Sequence, residues 1–146
     1  MPEPQAVILD DRLLIEELLV GVRRGRRLLA FHTTTYWYYR ACRAAVAGAG
    51  GRLSAPFAEL GAPEQELAIL SLLELRADIG LPGPRATVPV MAELARRHPT
   101  LNLLNLEAVA AAMVLDATVW LSAPATGLLP PVLDVEGCRW RSVAVP

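Results

Sequence analysis

Three polar residues occupy positions in this sequence where catalytic chemistry could arise. Asp10 follows a short apolar run at residues 6–9, and Glu107 lies near the start of an apolar helix. Ser122 ends the strand that follows that helix. Carboxylate oxygens are the ligands that Mg²⁺ and Mn²⁺ prefer, and such an ion can activate water and neutralise a scissile phosphate. Asp10 and Glu107 are therefore candidate metal ligands, and Ser122 is a candidate third catalytic residue that orients water or metal.

A structural role for the same acids remains an open alternative. Asp10 or Asp11 could cap the helix that follows the first strand, because a side-chain oxygen there accepts from a free backbone N–H. Glu107 could stabilise a helix N-terminus by its negative charge. The sequence does not separate this reading from metal binding.

A cluster of arginines could contact nucleic acid. It comprises Arg23, Arg24, Arg26 and Arg27, and Arg40 follows in the next predicted helix. Guanidinium groups bind phosphates and nearby aromatic rings can stack on bases, so RNA is a candidate partner. The plainer alternative is a solvated turn whose cations suit the C-terminus of the preceding helix.

Four consecutive aromatic residues, Tyr, Trp, Tyr and Tyr, occupy residues 36–39 of the helix predicted over 36–46. They cover all sides of that helix, whereas a packed helix presents one stripe to the core. Some of these rings must therefore face outward or meet a partner. This pattern predicts a protein interface, with a homodimer or a small protein partner, on the part of the helix between Tyr36 and Arg43.

Length and composition bound the class of protein. The 146 residues suit a single domain over 1–146, and 53% hydrophobic with 20% charged residues predicts a globular fold. The net charge of −1 gives no overall basic field, and all 14 basic residues are Arg, which excludes mechanisms that need lysine. The longest apolar run, at 108–115, is too short to span a bilayer, and the acidic N-terminus lacks a signal-peptide pattern. We expect a cytoplasmic protein with no membrane association.

Short apolar runs alternate with helical periodicity along the chain. Strands are predicted at 6–9, 28–31, 118–121 and 138–145, and helices at 11–22, 36–46, 63–75, 87–97, 103–115 and 128–135, with a glycine-rich stop at 48–51. Uninterrupted apolar strands are typical of a parallel sheet covered on both faces. We predict a three-layer α/β/α domain with a mainly parallel sheet of four to five strands. Its carboxyl edge would hold Asp10 and Glu107.

Three segments of this chain resemble the PIN-domain (PilT N-terminus) family of nucleases. They are VILDD, which contains Asp10; LLAFHTTTYWYYR; and LEAVAAAMVLDATVWLSA, which contains Glu107 and Ser122. The resemblance implies a PIN-like fold, Mg²⁺ or Mn²⁺ held by acids, and an RNA substrate. It places Asp10 at the first acidic position, Glu107 where the family usually has Asp, and Ser122 at the hydroxyl residue that ends the strand.

Other residues occupy two acidic positions of the PIN pattern. After the second strand the family has Glu, whereas this chain has Tyr39 or Arg40; after the last of these segments it has Pro124 in place of Asp. A cation near the site opposes metal binding, although Asp11 or Asp78 could replace a missing acid. The resemblance thus implies a divergent PIN-like domain without full nuclease activity, acting as a nucleic-acid-binding or protein-interaction module. The alternative is a Mg²⁺- or Mn²⁺-dependent ribonuclease of the PIN, toxin-like, type.

Other kinds of site fit the sequence less well. The acids at 10 and 11 also resemble those of receiver domains, which need a lysine that this chain lacks. A haloacid dehalogenase needs a second Asp two positions after the first, where this chain has Arg12. No Gly-x-Ser-x-Gly elbow is present, and His32 is read as a capping or packing residue.

Overall fold

Four parallel strands form the central sheet. The computed structural model describes residues 3–25, 27–47 and 53–146. Its strands are β1 (Gln5–Leu9), β2 (Leu29–His32), β3 (Thr118–Ser122) and β4 (Trp140–Val143), in the order β2-β1-β3-β4. The register sets Ile8 opposite both His32 and Val119, and the pairing of β3 with β4 is also parallel. All four carboxyl ends therefore lie at one edge, as the sequence predicts.

Helices cover both faces of this sheet. They are α1 (Asp11–Leu19), α2 (Thr35–Ala47), α3 (Ala55–Ala58), α4 (Ala62–Leu73), α5 (Pro84–Arg97), α6 (Leu103–Leu115) and α7 (Leu129–Val135). The predicted three-layer α/β/α architecture is confirmed. Within the described ranges, no helix combines the length and the apolar character that a bilayer crossing requires.

Alternation along the strands builds two cores. Val7, Leu9 and Trp120 point to one face, where they pack with α1, α2, α3 and α4. Ile8 and Val119 point to the opposite face, where they pack with α5, α6 and α7. Because α6 lies between the sheet and α5, most of its sides are buried. This explains its nearly uniform apolar sequence.

Side-chain caps begin three helices at the carboxyl edge of the sheet. The Asp10 Oδ1 accepts from the Leu13 N–H at 2.9 Å, and the Asn102 Oδ1 accepts from the Asn105 N–H at 2.9 Å. Thr34 caps α2 in the same way through its hydroxyl oxygen. Each cap satisfies a backbone donor that has no partner within its helix. The capping role predicted for Asp10 or Asp11 therefore belongs to Asp10.

Some element boundaries differ from the predicted ones. The helix predicted at 87–97 begins earlier, because α5 starts at Pro84 after its N-cap Gly83; the fixed φ of proline suits a first turn. Between the helices predicted at 36–46 and 63–75, the chain contains a further helix, α3, which buries Phe57. β4 is shorter than predicted because only residues 140–143 pair with β3. The glycine-rich stop predicted at 48–51 lies outside the described residues.

Glu17 is buried, whereas the periodicity of α1 predicts it on the outer face. Its carboxylate accepts from the Val22 N–H at 2.9 Å and pairs with Arg24 at 2.6 Å and Arg76 at 2.7 Å. These donors compensate the loss of water around the charge. The cluster joins the α1–β2 connection to the α4–α5 connection.

Candidate functional site

Asp10 links the start of α1 to the end of β3. Its side chain is buried, and its Oδ2 accepts from the Ser122 backbone N–H at 2.8 Å and from the Ser122 hydroxyl at 2.7 Å. The other oxygen, Oδ1, is the helix cap that accepts from Leu13. The structure therefore brings two of the three predicted catalytic residues into direct contact. Each oxygen of the Asp10 carboxylate already has a donor from the protein.

Burial dominates the electrostatics of the two adjacent acids. It raises the pKa of Asp10 above the ordinary value of 3.8, while hydrogen bonds from Leu13 and Ser122 act in the opposite direction. Burial also raises the pKa of Asp11, and there the charge of Arg40 opposes the rise. Both carboxylates are thus partly desolvated and depend on nearby donors to remain charged.

Glu107 binds the first turn of α2. Its Oε2 accepts from the Thr35 N–H at 3.0 Å, and its Oε1 accepts from the Tyr36 N–H at 2.9 Å. The side chain is only 4% exposed. The first N–H groups of a helix lack intrahelical partners and carry the positive end of its dipole, so a carboxylate there is stabilising. Glu107 therefore joins α6 to α2. It stabilises the N-terminus of a different helix, α2, which is distant in sequence.

The carboxylates of Asp10 and Glu107 are engaged by donors of the chain itself. Mg²⁺ requires a near-octahedral set of oxygen ligands, and here each of the four oxygens already accepts a hydrogen bond from an N–H or O–H group, so an ion would have to share or displace these donors. Across residues 3–25, 27–47 and 53–146, no group of three or more His, Cys, Asp or Glu side chains is placed to hold a metal ion. The assignment of Asp10 and Glu107 as metal ligands stays a prediction.

The two acids that could replace missing ligands are engaged with arginines. The Asp11 Oδ2 lies 2.9 Å from the Arg40 Nε, and the Asp78 Oδ1 lies 2.8 Å from the Arg76 Nε. Asp78 is exposed on the connection between α4 and α5. Arg40, one of the two residues that could occupy the acidic position of the PIN pattern, is thus a cation that neutralises a neighbouring acid.

A cavity of about 260 Å³ opens beside Asp10 and Ser122. Trp37, Asn105 and Pro124 also line it. Pockets for small ligands usually enclose about 300–1,000 Å³, so this cavity is small for a substrate. Asn105 was not among the predicted site residues.

Two of the predicted nucleic-acid contacts are held by acids of the chain. Arg24 pairs with Glu17, and its guanidinium carbon lies 4.5 Å from the centre of the Phe31 ring. Arg40 pairs with Asp11. Both arginines therefore have an internal role, and their contact with nucleic acid stays a prediction.

The remaining predicted nucleic-acid contacts are Arg23, Arg26 and Arg27, and Arg27 lies near an arginine that was not predicted, Arg141. Arg23 and Arg27 are exposed, and Arg26 lies outside the described residues. The guanidinium carbons of Arg27 and Arg141 lie 5.7 Å and 4.9 Å from the centre of the Trp120 ring. Arg141 was missed because its place depends on the parallel register that sets it opposite Trp120. The sequence signal that was available for Arg141 is the alternation of side chains along the last strand.

The aromatic residues of α2 divide between core and surface. Trp37 is buried, and the Tyr38 hydroxyl donates to the Leu72 carbonyl at 3.0 Å. Tyr36 and Tyr39 are exposed, and Tyr39 is 60% exposed. The expectation that some of these rings face outward is confirmed. The protein interface on this helix stays a prediction.

The parallel sheet and the helices on both of its faces form an α/β domain whose architecture is consistent with a PIN-like fold. The fold is similar to that of a chain in the structure of VapBC-1 from nontypeable Haemophilus influenzae, with a TM-score of 0.53 and 13% sequence identity over 94% of this chain and 98% of that chain. VapC proteins have a PIN domain, so the likeness supports a PIN-like fold, and at this identity it concerns the fold alone. Neither a protein-family model nor a curated protein matches this sequence.

Proposed function

We propose that this PIN-like domain acts by binding RNA or a protein partner and does not hydrolyse RNA at a metal site. The observation that carries the proposal is the engagement of Asp10 and Glu107 by donors of the chain itself. In a metal nuclease the carboxylate oxygens bind the ion, and the ion contacts the scissile phosphate. Here the same oxygens hold α1, α2 and β3 together.

RNA is the first of the two partner classes. Arg23, Arg27 and Arg141 have no carboxylate partner within the part of the chain that the structure describes. Unpaired guanidinium groups on one surface attract phosphates, and the release of counterions favours their binding. This supports nucleic-acid binding even though the net charge of the whole chain is −1.

A protein partner, or a second copy of this chain, is the second class. Tyr39 and Val46 of α2 are 60% and 64% exposed, and Leu67 of α4 is 69% exposed. Large exposed apolar side chains on packed helices are typical of interaction surfaces when they are contiguous. A homodimer can be tested by light scattering, which measures the mass of the wild type and of Leu67→Glu at high and low protein concentration. A dimer that the substitution dissociates supports this class, and a monomer at every concentration argues against a homodimer.

The alternative function is a Mg²⁺- or Mn²⁺-dependent ribonuclease of PIN type. It would require Asp10 and Glu107 to exchange their present donors for an ion. Calorimetric titration of each ion into the wild type and into Asp10→Asn separates the two readings, and labelled single-stranded RNA incubated with the same samples reports cleavage. Glu66→Gln, an exposed charge on α4, is the matched control.

We expect no saturable heat at millimolar metal and no cleavage by any of the three proteins. Saturable binding and RNA cleavage that Asp10→Asn abolishes and Glu66→Gln retains would contradict the proposal. The same result would establish the ribonuclease.

A further inference from the structure

A groove of about 630 Å³ lies between α1 and β4. Its helical wall includes Leu13 and Val20, and its sheet wall includes Trp120, Arg141 and Val143. Side chains of β4 border the groove because α1 packs over β1 and β3. The groove is separate from the cavity beside Asp10.

Two arginines line this groove, and a third lies over an aromatic ring of its wall. Arg23 and Arg141 line it, and Arg27 lies over the same Trp120 ring as Arg141. Stacking on an indole holds a guanidinium plane while its N–H donors remain free for a ligand. In the described ranges none of the three pairs with an acid, although Glu16 also lines the groove. Arg23 and Arg141 therefore place two cations at the edge of the groove, with Arg27 nearby over Trp120, and Glu16 adds one carboxylate.

Apolar walls extend beyond these cations. Val20 and Val145 belong both to this groove and to a second groove of about 590 Å³ between α1 and α3. Arg12 lines the second groove. Because Glu16, Val20 and Val145 line both grooves, the two grooves adjoin along α1, and together they are called the path below. Glu16 and Glu59 are carboxylates in its lining. Each groove has the volume of a small-ligand site.

We infer that this path binds single-stranded RNA, with phosphates on Arg23, Arg27 and Arg141 and with ribose and base faces against the apolar walls. The inference rests on the proposed function and names the surface that would perform it. Planar guanidinium forks match phosphate oxygens, and single strands combine a line of charge with flat apolar faces. Trp120 is 2% exposed, so it holds the arginines in place and does not stack on a base. Binding is therefore expected to be independent of base sequence.

The test measures fluorescence anisotropy of a labelled single-stranded oligouridylate with the wild type, Arg23→Ala, Arg141→Ala and the double variant. Arg85→Ala is the matched control, since Arg85 is exposed on α5 in the opposite layer of the domain. For a single strand, each phosphate contact adds about 0.7 to the slope of log affinity against log salt, or about fivefold in affinity at about 0.1 M salt. We expect about fivefold weaker binding for each single variant, about 25-fold for the double variant, and no change for Arg85→Ala.

The outcomes separate a failure of this groove from a failure of RNA binding as such. If the wild type binds RNA and the double variant binds equally well, this surface is wrong while RNA binding stands. If the wild type does not bind RNA at low salt, the RNA part of the proposed function fails together with the groove. Unlabelled uridine monophosphate and polyglutamate serve as competitors of the labelled strand. If the monophosphate displaces the strand at an equal concentration of nucleotide, the groove is a mononucleotide site. If polyglutamate displaces the strand equally well, the groove is a site for acidic peptide. Either result overturns the assignment to a nucleic-acid strand.

Discussion

Replacing Glu107 with Ala tests whether this carboxylate is structural. The substitution removes both acceptors of the Thr35 and Tyr36 N–H groups, whose bonds are 3.0 and 2.9 Å long and partly buried. A hydrogen bond to a charged group contributes about 1.5–3 kcal/mol, and water can reach part of this helix start, so we expect a loss of about 3 kcal/mol from two such bonds. A domain of this length has roughly 7–20 kcal/mol of stability. The variant should therefore remain folded.

Glu107→Gln refines the same test. Glutamine keeps the size of the side chain but offers one acceptor oxygen and turns an N–H₂ group toward the second donor. We expect a loss between those of wild type and Glu107→Ala. Urea denaturation followed by circular dichroism should show a lower midpoint with an unchanged slope, and the loss of about 3 kcal/mol corresponds to roughly 6–12 °C in the melting temperature. Glu66→Ala, an exposed residue of α4, should change stability by less than about 0.5 kcal/mol.

The opposite result would refute this account of Glu107. Carboxylates gathered for a cation repel one another when the cation is absent, so removing one of them relieves repulsion. If Glu107→Gln and Glu107→Ala are at least as stable as the wild type, the carboxylate is not a structural acceptor. If Mn²⁺ then stabilises only the wild type, Glu107 is a metal ligand.

Three further predictions concern charge and close packing. Because burial raises the pKa of Asp10, the folded state binds that proton more tightly than the unfolded state. The contribution of Asp10 to stability should therefore fall as pH rises from 3.8 through the raised pKa, and then level off. Urea unfolding should show that the stability of Asp10→Asn, relative to that of the wild type, increases between acid and neutral pH. A gain in the opposite direction would mean that the hydrogen bonds outweigh burial. Gly80→Ala should lower the free energy of unfolding, measured in urea, by about 1–3 kcal/mol, because the added Cβ would overlap the His32 imidazole at Nδ1. The control is Gly83→Ala, whose added Cβ meets nothing within 4 Å. Glu17→Gln should lower the free energy of unfolding by about 1–2 kcal/mol, since its arginine partners are partly exposed and can regain water. The stability of this variant should then depend less on salt concentration than that of the wild type. An unchanged salt dependence would contradict the role of this ion cluster.

Local patterns in the sequence determined the strands, most of the helices and some of the helix starts. Apolar runs predicted the four strands, and the capping role that the sequence left open between Asp10 and Asp11 belongs to Asp10. These features follow from sequence because a cap bonds to a backbone group two or three residues away. The parallel sheet follows as well, since helices between short apolar strands require crossover connections.

Only the tertiary structure decided the partners of the charged residues. Glu107 accepts from backbone groups 71 and 72 residues away, Arg40 neutralises Asp11, and Arg141 meets Trp120 across two strands. These pairs depend on sheet register and helix packing, which no local pattern encodes. The acids that the sequence marks for chemistry are therefore the same acids that packing uses as hydrogen-bond acceptors, because a buried carboxylate must be paired wherever the fold places it.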